Sequence, residues 1–476
     1  MGRAGDARNR SNTHTCEMLH LWPGCKTSFK FPNKTSALLA TSTDVVTEGL
    51  HMIARWRWVT NQLTKRLWFR ASLFSLLGVA TALLAVVFKD FIPESLPARI
   101  GADAVDKILG IIASSMLAVT TFSLSTMVTA YGAASSGVTP RATTLVMEDT
   151  TTQNALATFI GSFLFSLVGI IALSTGAYGT QGRVLLFAVT IIVVILIVYT
   201  LLRWIDHLSK LGRVGETIDR VEKAAIEAIT QRVQWPYLGG SAYPTDLALP
   251  PGAITVKSEL TGYVQHIDVS ALGAIAQDDQ IQIYLEVLPG TFVHEGMPLL
   301  HIVSLGNTRA GDTDTAREKV LATLTLGVRR TFENDPRFGL CVLSEIASRA
   351  LSPAVNDPGT AIDVIGRGVR TLTCWSKPHV PSSQTDQGCK QVFLRGLTVD
   401  DLFDDFFAPI SRDGAALLEV NVRLLKALIS LAEINPAIFK RACERHVDLL
   451  ITRTETALAL QHEKDQLNSL ARTMTR

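Results

Sequence analysis

The stretch VLLFAVTIIVVILIVYTLL, Val184–Leu202, carries no charged residue and no proline. As a helix it is about 28 Å long, close to the thickness of a bilayer's hydrocarbon core. It has no polar face to turn to water, so its reading decides the fold: this chain enters a membrane. Working outward, three more runs satisfy the same test: Ala71–Phe88, Ile108–Ala130 (ILGIIASSMLAVTTFSLSTMVTA) and Ala155–Tyr178. The expected fold is an α-helical integral membrane protein with four transmembrane helices, followed by a cytoplasmic α+β part. The partition is a basic, disordered segment 1–66, a membrane domain 67–202, a helical stalk 203–235, a linker 236–252, a small β module 253–310 and a helical domain 311–476.

Charge orients the spans. The first 70 residues hold 11 Lys/Arg against 4 Asp/Glu, although the whole chain nets only +2. Arg55, Arg57, Lys65, Arg66 and Arg70 precede the first run; Arg203, Lys210 and Arg213 follow the fourth; Arg141 lies between the second and third. The other two loops carry Lys89, Arg99, Lys107 and Arg183. The positive-inside rule then puts both termini in the cytoplasm. Basic charge placed this way fits a membrane flank better than a nucleic-acid groove. Within 1–66, Met52 heads the basic, aromatic MIARWRWVTNQLTKRLWFR and is a candidate start; an ordinary tail before it is the other reading.

No Asp, Glu, Lys, Arg or His falls inside the four runs. Pumps and proton-coupled carriers need such groups in the membrane, whereas a channel does not. The second run has its own pattern: Gly110, Ser114, Ala118, Thr121, Ser125, Thr129 and Gly132 recur at helical spacing. Small residues in a stripe let helices pack closely. The same stripe can line a polar pore in an oligomer, so Ser114, Thr121, Ser125 and Thr129 are candidate pore or packing residues. Past the fourth run, Trp204, Leu211, Ile218 and Ala225 with Val214, Val221 and Ala228 form a heptad-like seam. It serves either a self-associating stalk or packing on the chain's own soluble part.

Turns of the Pro289-Gly290 kind separate alternating segments: AITVKSE, GYVQHIDV, QIQIYLEV and TFVHEGMPLLHIV. Their rhythm looks like half of a biotinyl/lipoyl-type barrel-sandwich fold, without the cofactor-bearing lysine, since EGMPL has none. A short helix is expected near Ser270–Ala276. His266, His294 and His301 show no ligand spacing, and the six cysteines form no CxxC pair, so neither metal nor cofactor is expected. From Asp314 the pattern is helical, with TAREKVLATLTLGVRRTF as one helix and a polar interruption at about 376–390.

Asn-Asp-Pro occurs twice, at Asn334–Pro336 and Asn356–Pro358, each where an apolar helical pattern begins. Asp caps the orphan N–H groups of a first turn, and Pro fits the next position. Capping explains every residue type present. Ser352, Asn356, Asp357 and Thr360 also gather hydroxyl, amide and carboxylate groups at one helix start, which makes them candidate ligand or partner residues. Asp400, Asp401, Asp404 and Asp405 alternate with Phe403, Phe406 and Phe407 as a capped amphipathic helix with a wet acidic face would. There is no GxSxG, GxGxxG, Walker A or HExxH, so a non-enzymatic protein is expected.

On AYGAASSGVTPR, GYVQHIDVSAL, LPGTFVHEGMPLL, ENDPRFG and above all EIASRALSPAVNDPGTAIDVIGR, the chain resembles domain-of-unknown-function family 2254, bacterial membrane proteins. The resemblance implies a bacterial inner-membrane location and brings no activity, cofactor or catalytic residue. The expected function is a homo-oligomeric, channel-like or transport-related assembly in the lipid bilayer with a cytoplasmic regulatory domain. The alternative is a membrane-anchored sensor or scaffold that binds a small molecule, ion or partner through that domain.

Overall fold

The computed structural model describes residues 102–147, 149–175, 179–244, 252–305, 310–377 and 389–473, with four helical positions, Ser72, Leu73, Leu76 and Ala80, in the first apolar run. All lie in the unit Thr64–Arg476. The rest of the first run, the segment 1–66 and most of the polar stretch 376–390 fall outside the described residues.

Three described helices are long and apolar enough to span a membrane: α1 (Ala102–Gly137), α3 (Thr150–Ser174) and α4 (Gly179–Lys210). A helix meets all its backbone hydrogen bonds internally, as hydrocarbon demands. Their shared core is Val105, Leu109, Ile112 and Met116 of α1, Phe159 and Phe165 of α3, and Leu186, Val193, Ile197 and Trp204 of α4. Gly169 lets α1 and α3 close up, since a Cβ there would stand 3.0 Å from Leu109. The buried Trp204 indole donates to Ser123 Oγ at 3.0 Å, joining α4 to α1. Isoleucines 191, 192 and 195 cover the outer face of α4 and are exposed.

Between α1 and α3 lies the short α2 (Pro140–Met147). The helical pattern after the fourth run does not continue unbroken into a stalk. It stops at Gly212, whose φ of +83° turns the chain, and restarts as α5 (Val214–Gln234). A Cβ at Gly212 would press on Ala130 of α1 at 3.3 Å, so glycine is needed for space as well as for φ. The seam residues Ile218, Val221, Ala225 and Ala228 are buried. Their helix packs on the chain's own α8 (Pro336–Ala350) and α9 (Pro358–Thr373). Gly339 of α8 meets Ala225 so closely that a Cβ would lie 2.5 Å from its methyl.

The β part reaches beyond 253–310. One sheet has the order β1 (Ser241–Ala242), β8 (Val392–Leu394), β4 (Ile281–Leu285), β6 (Pro298–Ser304), β2 (Ile254–Lys257). The other is β5 (Phe292–Val293), β3 (Gly262–Ile267), β7 (Leu324–Gly327). β1 comes from the expected linker; β7 and β8 come from the expected helical domain. TAREKVLATLTLGVRRTF is therefore not one helix: α7 (Ala310–Leu321) ends, and LTLG pairs antiparallel with β3. Alternation of Leu with Thr and Gly suits that edge. β8 runs parallel to β4, with Ile283 opposite Val392. Helix α6 (Val269–Asp278) packs Leu272 and Ala276 into the sheet core.

A third core joins α5, α8 and α9 to α10 (Val399–Asp413), α11 (Leu418–Ile434) and α12 (Pro436–Ala457); a further helix, α13 (Gln461–Ala471), packs on α11 and α12. Phe403, Phe406, Phe407 and Phe439 fill it. The acidic face of α10 is ion-paired: Arg337 takes Asp401 and Asp405, and Arg445 takes Asp400 and Asp404.

Candidate functional site

Both Asn-Asp-Pro copies start helices. Asp335 accepts from the Phe338 amide at 3.2 Å and Asp357 from the Thr360 amide at 3.0 Å, with proline next in each case. The copies differ in surroundings. Asp335 is buried, is held by Arg330 Nε at 2.7 Å, and sits where Gly290, at φ +94°, leaves no room for a Cβ. On the last turn of α5 the buried Arg232 donates to Asn334 O at 3.2 Å; burial lowers its guanidinium to about 10. Asp357 is exposed, and the Thr360 hydroxyl, 2.6 Å away, together with the Thr360 amide holds its carboxyl below the usual range.

The second copy belongs to a loop between α8 and α9. Ser352 Oγ donates to Arg349 O at 2.7 Å. Asn356 has φ +51°, and its amide donates to Ser352 O at 2.8 Å. The structure thus brings Ser352, Asn356, Asp357 and Thr360 into one exposed turn, with its hydroxyls and carboxylate bonded inside it.

The stripe on α1 faces outward. Ser114, Thr121, Ser125 and Thr129 are all exposed, while Ile112, Met116 and Ser123 on the other side are buried. Ser114, Thr121 and Thr129 donate to carbonyls of the preceding turn, at Gly110, Leu117 and Ser125. These three hydroxyls are satisfied by their own helix, which leaves a narrow, uncharged, small-residue face.

A third cluster, unread in the sequence, ties the membrane helices to the rest. Asp149 is the N-cap of α3 and accepts from Thr152 N (2.8 Å) and Thr152 Oγ1 (2.7 Å). His207 Nε2 of α4 lies at 2.9 Å and Arg220 Nη1 of α5 at 3.0 Å. Burial alone would raise the Asp149 carboxyl, but the bonds from His207 and Thr152, with the Arg220 guanidinium beside it, hold it well below the usual carboxylate range. The signal was present: Asp149 and three threonines, followed after Gln153 and Asn154 by an apolar run, read as an N-cap. One helix further on, Glu222 of α5 accepts Arg370 Nε at 2.6 Å and Arg367 Nη1 at 2.9 Å, and Arg367 also pairs with Asp219 and Asp363. Arg141 of α2 pairs with Glu345 of α8.

Among the described residues no group of three or more His, Cys, Asp or Glu is placed to hold a metal. His301 pairs with Thr255, His266 with Asn334 and His294 with the Glu295 carbonyl, each apart from the others. Cys341, Cys374, Cys389 and Cys443 are free thiols.

Residues 64–430 match the family model described as a predicted membrane protein, DUF2254. Proteins of Mycobacterium tuberculosis and Mycobacterium bovis, both described as uncharacterised, are each 25% identical over 261 residues, covering 54% of this chain and 50% of theirs. The chain spans about half the length of the curated relatives it matches. No solved structure matches it.

Proposed function

The chain belongs to the DUF2254 family of predicted membrane proteins, and from that premise we propose that it is a multi-pass inner-membrane protein that assembles with copies of itself through α1 and is regulated by its cytoplasmic part. The observation that carries this reading is the outward, exposed α1 face of Ser114, Thr121, Ser125 and Thr129, on which the Ser114, Thr121 and Thr129 hydroxyls are bonded to their own helix. A face of this kind admits a second helix at close range and, between several copies, a polar channel. Ala71–Phe88 supplies the fourth span, and the basic flanks put both termini in the cytoplasm.

The reading is non-enzymatic. Its support is that Asp149, Glu222 and the acidic face of α10 are engaged in joining one helix to another, and Asp335 in capping α8 and holding Arg330. The sensor alternative draws on the exposed Ser352–Thr360 turn, whose Asn356 is in the left-handed region. An Asn356→Ala variant that folds normally yet loses its response in the cell would favour it.

Ion and small-solute flux through the purified protein in liposomes tests the main reading, together with disulfide crosslinking of Ser125→Cys. We expect crosslinked oligomers and flux that Ser125→Leu blocks. Crosslinking without flux would reduce the stripe to packing; a strict monomer would overturn the reading.

A further inference from the structure

We propose that His207 is a proton switch on the junction at Asp149: when its imidazole is charged, Arg220 is no longer needed there, and the first turns of α5 come free of α3 and α4. The three groups belong to three helices. Asp149 caps α3, His207 lies in the last turn of α4 and Arg220 in the second turn of α5. Their side chains are 10%, 14% and 19% exposed, so salt screens them little. A carboxylate so placed needs a cation, because stripping one partner from a buried ion pair strands the other charge.

Two groups that can be cationic reach Asp149, and one of them is charged permanently. Arg220 Nη1 stands 3.0 Å from Oδ1, and a guanidinium keeps its proton at every pH the cell meets. His207 Nε2 stands 2.9 Å from Oδ2 and 3.2 Å from Thr152 Oγ1. A neutral imidazole with its proton on Nε2 already donates to the carboxylate, so the contact is the same in either state and only the charge differs. The ring is held in place independently. Trp204 stacks on it at 5.6 Å and is itself fixed by its bond to Ser123. An imidazole is also the side chain that changes charge nearest neutral pH.

With His207 neutral, Arg220 is the cation paired with Asp149 among the described residues. Charged His207 supplies a second one and repels Arg220 across the same carboxylate. On leaving, Arg220 keeps Glu216, one turn back on α5, at 3.2 Å. Acid on the α5 side of the membrane therefore loosens the attachment, whether or not α1 lines a channel. The other charges around the ring do not duplicate this. On α4, Asp206 and Lys210 pair with each other, and Arg203 is exposed beside Tyr199. α3 carries no ionisable side chain, and past Lys107 α1 carries Tyr131 alone, near both Asp149 and Arg220. On α5, Asp219 pairs with Arg367, and its N-cap Arg213 is exposed. Glu148, next to Asp149, lies outside the described residues.

The test measures what Arg220 contributes at two pH values in the full-length protein in detergent. Hydrogen exchange of the α5 amides, corrected for its intrinsic pH dependence, is compared for the unsubstituted protein, Arg220→Gln, His207→Gln and the double variant. We expect Arg220→Gln to raise the opening of the first turns of α5 about tenfold more at about pH 7.5 than at about pH 5.5. Once His207→Gln is present, the effect of Arg220→Gln should be the same at both. Taking the difference at each pH cancels acid effects elsewhere in the protein. An equal effect of Arg220→Gln at both pH values in the natural background overturns the proposal. So does a pH-dependent effect that survives His207→Gln, because another group would then carry the switch. If Arg220→Gln does not fold, a single comparison decides. Acidification must then open the first turns of α5 in the unsubstituted protein more than in His207→Gln, and parallel profiles overturn the proposal.

Discussion

His446 sits on α12 at 2% exposure, between the rings of Phe403 and Phe407 and 3.1 Å from Asp404. Burial, reinforced by the Arg445 charge and opposed by Asp404, lowers its imidazole to about 4. The folded state therefore holds this side chain neutral where the unfolded chain, titrating near 6.5, already binds a proton. A group depressed on folding contributes stability above its unfolded value and loses it as pH falls toward its folded value. Linkage between 6.5 and about 4 gives a loss of about 2 kcal/mol from about pH 7.5 to about pH 5, or roughly thirtyfold in the opening equilibrium. Hydrogen exchange of α10 and α12 amides, corrected for the intrinsic pH dependence of exchange, should show that fall in protection. His446→Phe, which keeps a ring among rings and leaves Asp404 to Arg445, should be nearly flat over the same window. The carboxylates lowered by their partners, Asp357 and Asp413, titrate below it. Equal protection of the natural protein at both pH values, or an unchanged slope in His446→Phe, would refute the reasoning.

Gly368→Ala places a methyl 1.9 Å from the Phe406 ring between α9 and α10, so thermal unfolding in detergent should show a loss of about 2 kcal/mol or more. The two Asn-Asp-Pro copies should respond unequally: Asp357→Ala removes an exposed cap and costs about 1 kcal/mol, whereas Asp335→Ala also strands Arg330 and costs about 3 kcal/mol. Equal shifts in melting temperature would sink that distinction. Burial raises the Cys341 and Cys443 thiols to about 12, so maleimide at neutral pH should leave both unmodified until denaturant is added, as mass spectrometry of the digested protein would show.

Local chemistry was the legible part of this chain. Three of the four apolar runs, the alternating strands and the two Asp-Pro caps need only neighbours within a turn or two, and the structure forms helices, strands and caps there. The same capping rule at Asn435–Pro436 starts α12. Pairing across distance was hidden. LTLG is a strand because β3 offers it an edge, and β8 reaches β4 from more than a hundred residues away. The break at Gly212 did have a local sign, a glycine between two periodic segments, but the heptad spacing ran across it. The stripe on α1 was visible as a pattern, whereas its outward direction depends on which face Leu109 and Ser123 bury. The clasp of Glu222 by Arg367 and Arg370 joins residues some 145 positions apart, so no spacing rule could have found it.

Asp149 also sets how motion can pass between the two halves of the described chain. Four donors from three helices converge on a carboxylate with about four acceptor sites, so the junction is full. A small tilt of α5 is absorbed by bending bonds that remain made. A larger one withdraws Arg220 and leaves a buried anion short of its cation, which water or another donor must then replace. Movement of α5 is thus transmitted to the start of α3 and the end of α4 as a latch transmits it, held or released, with little in between.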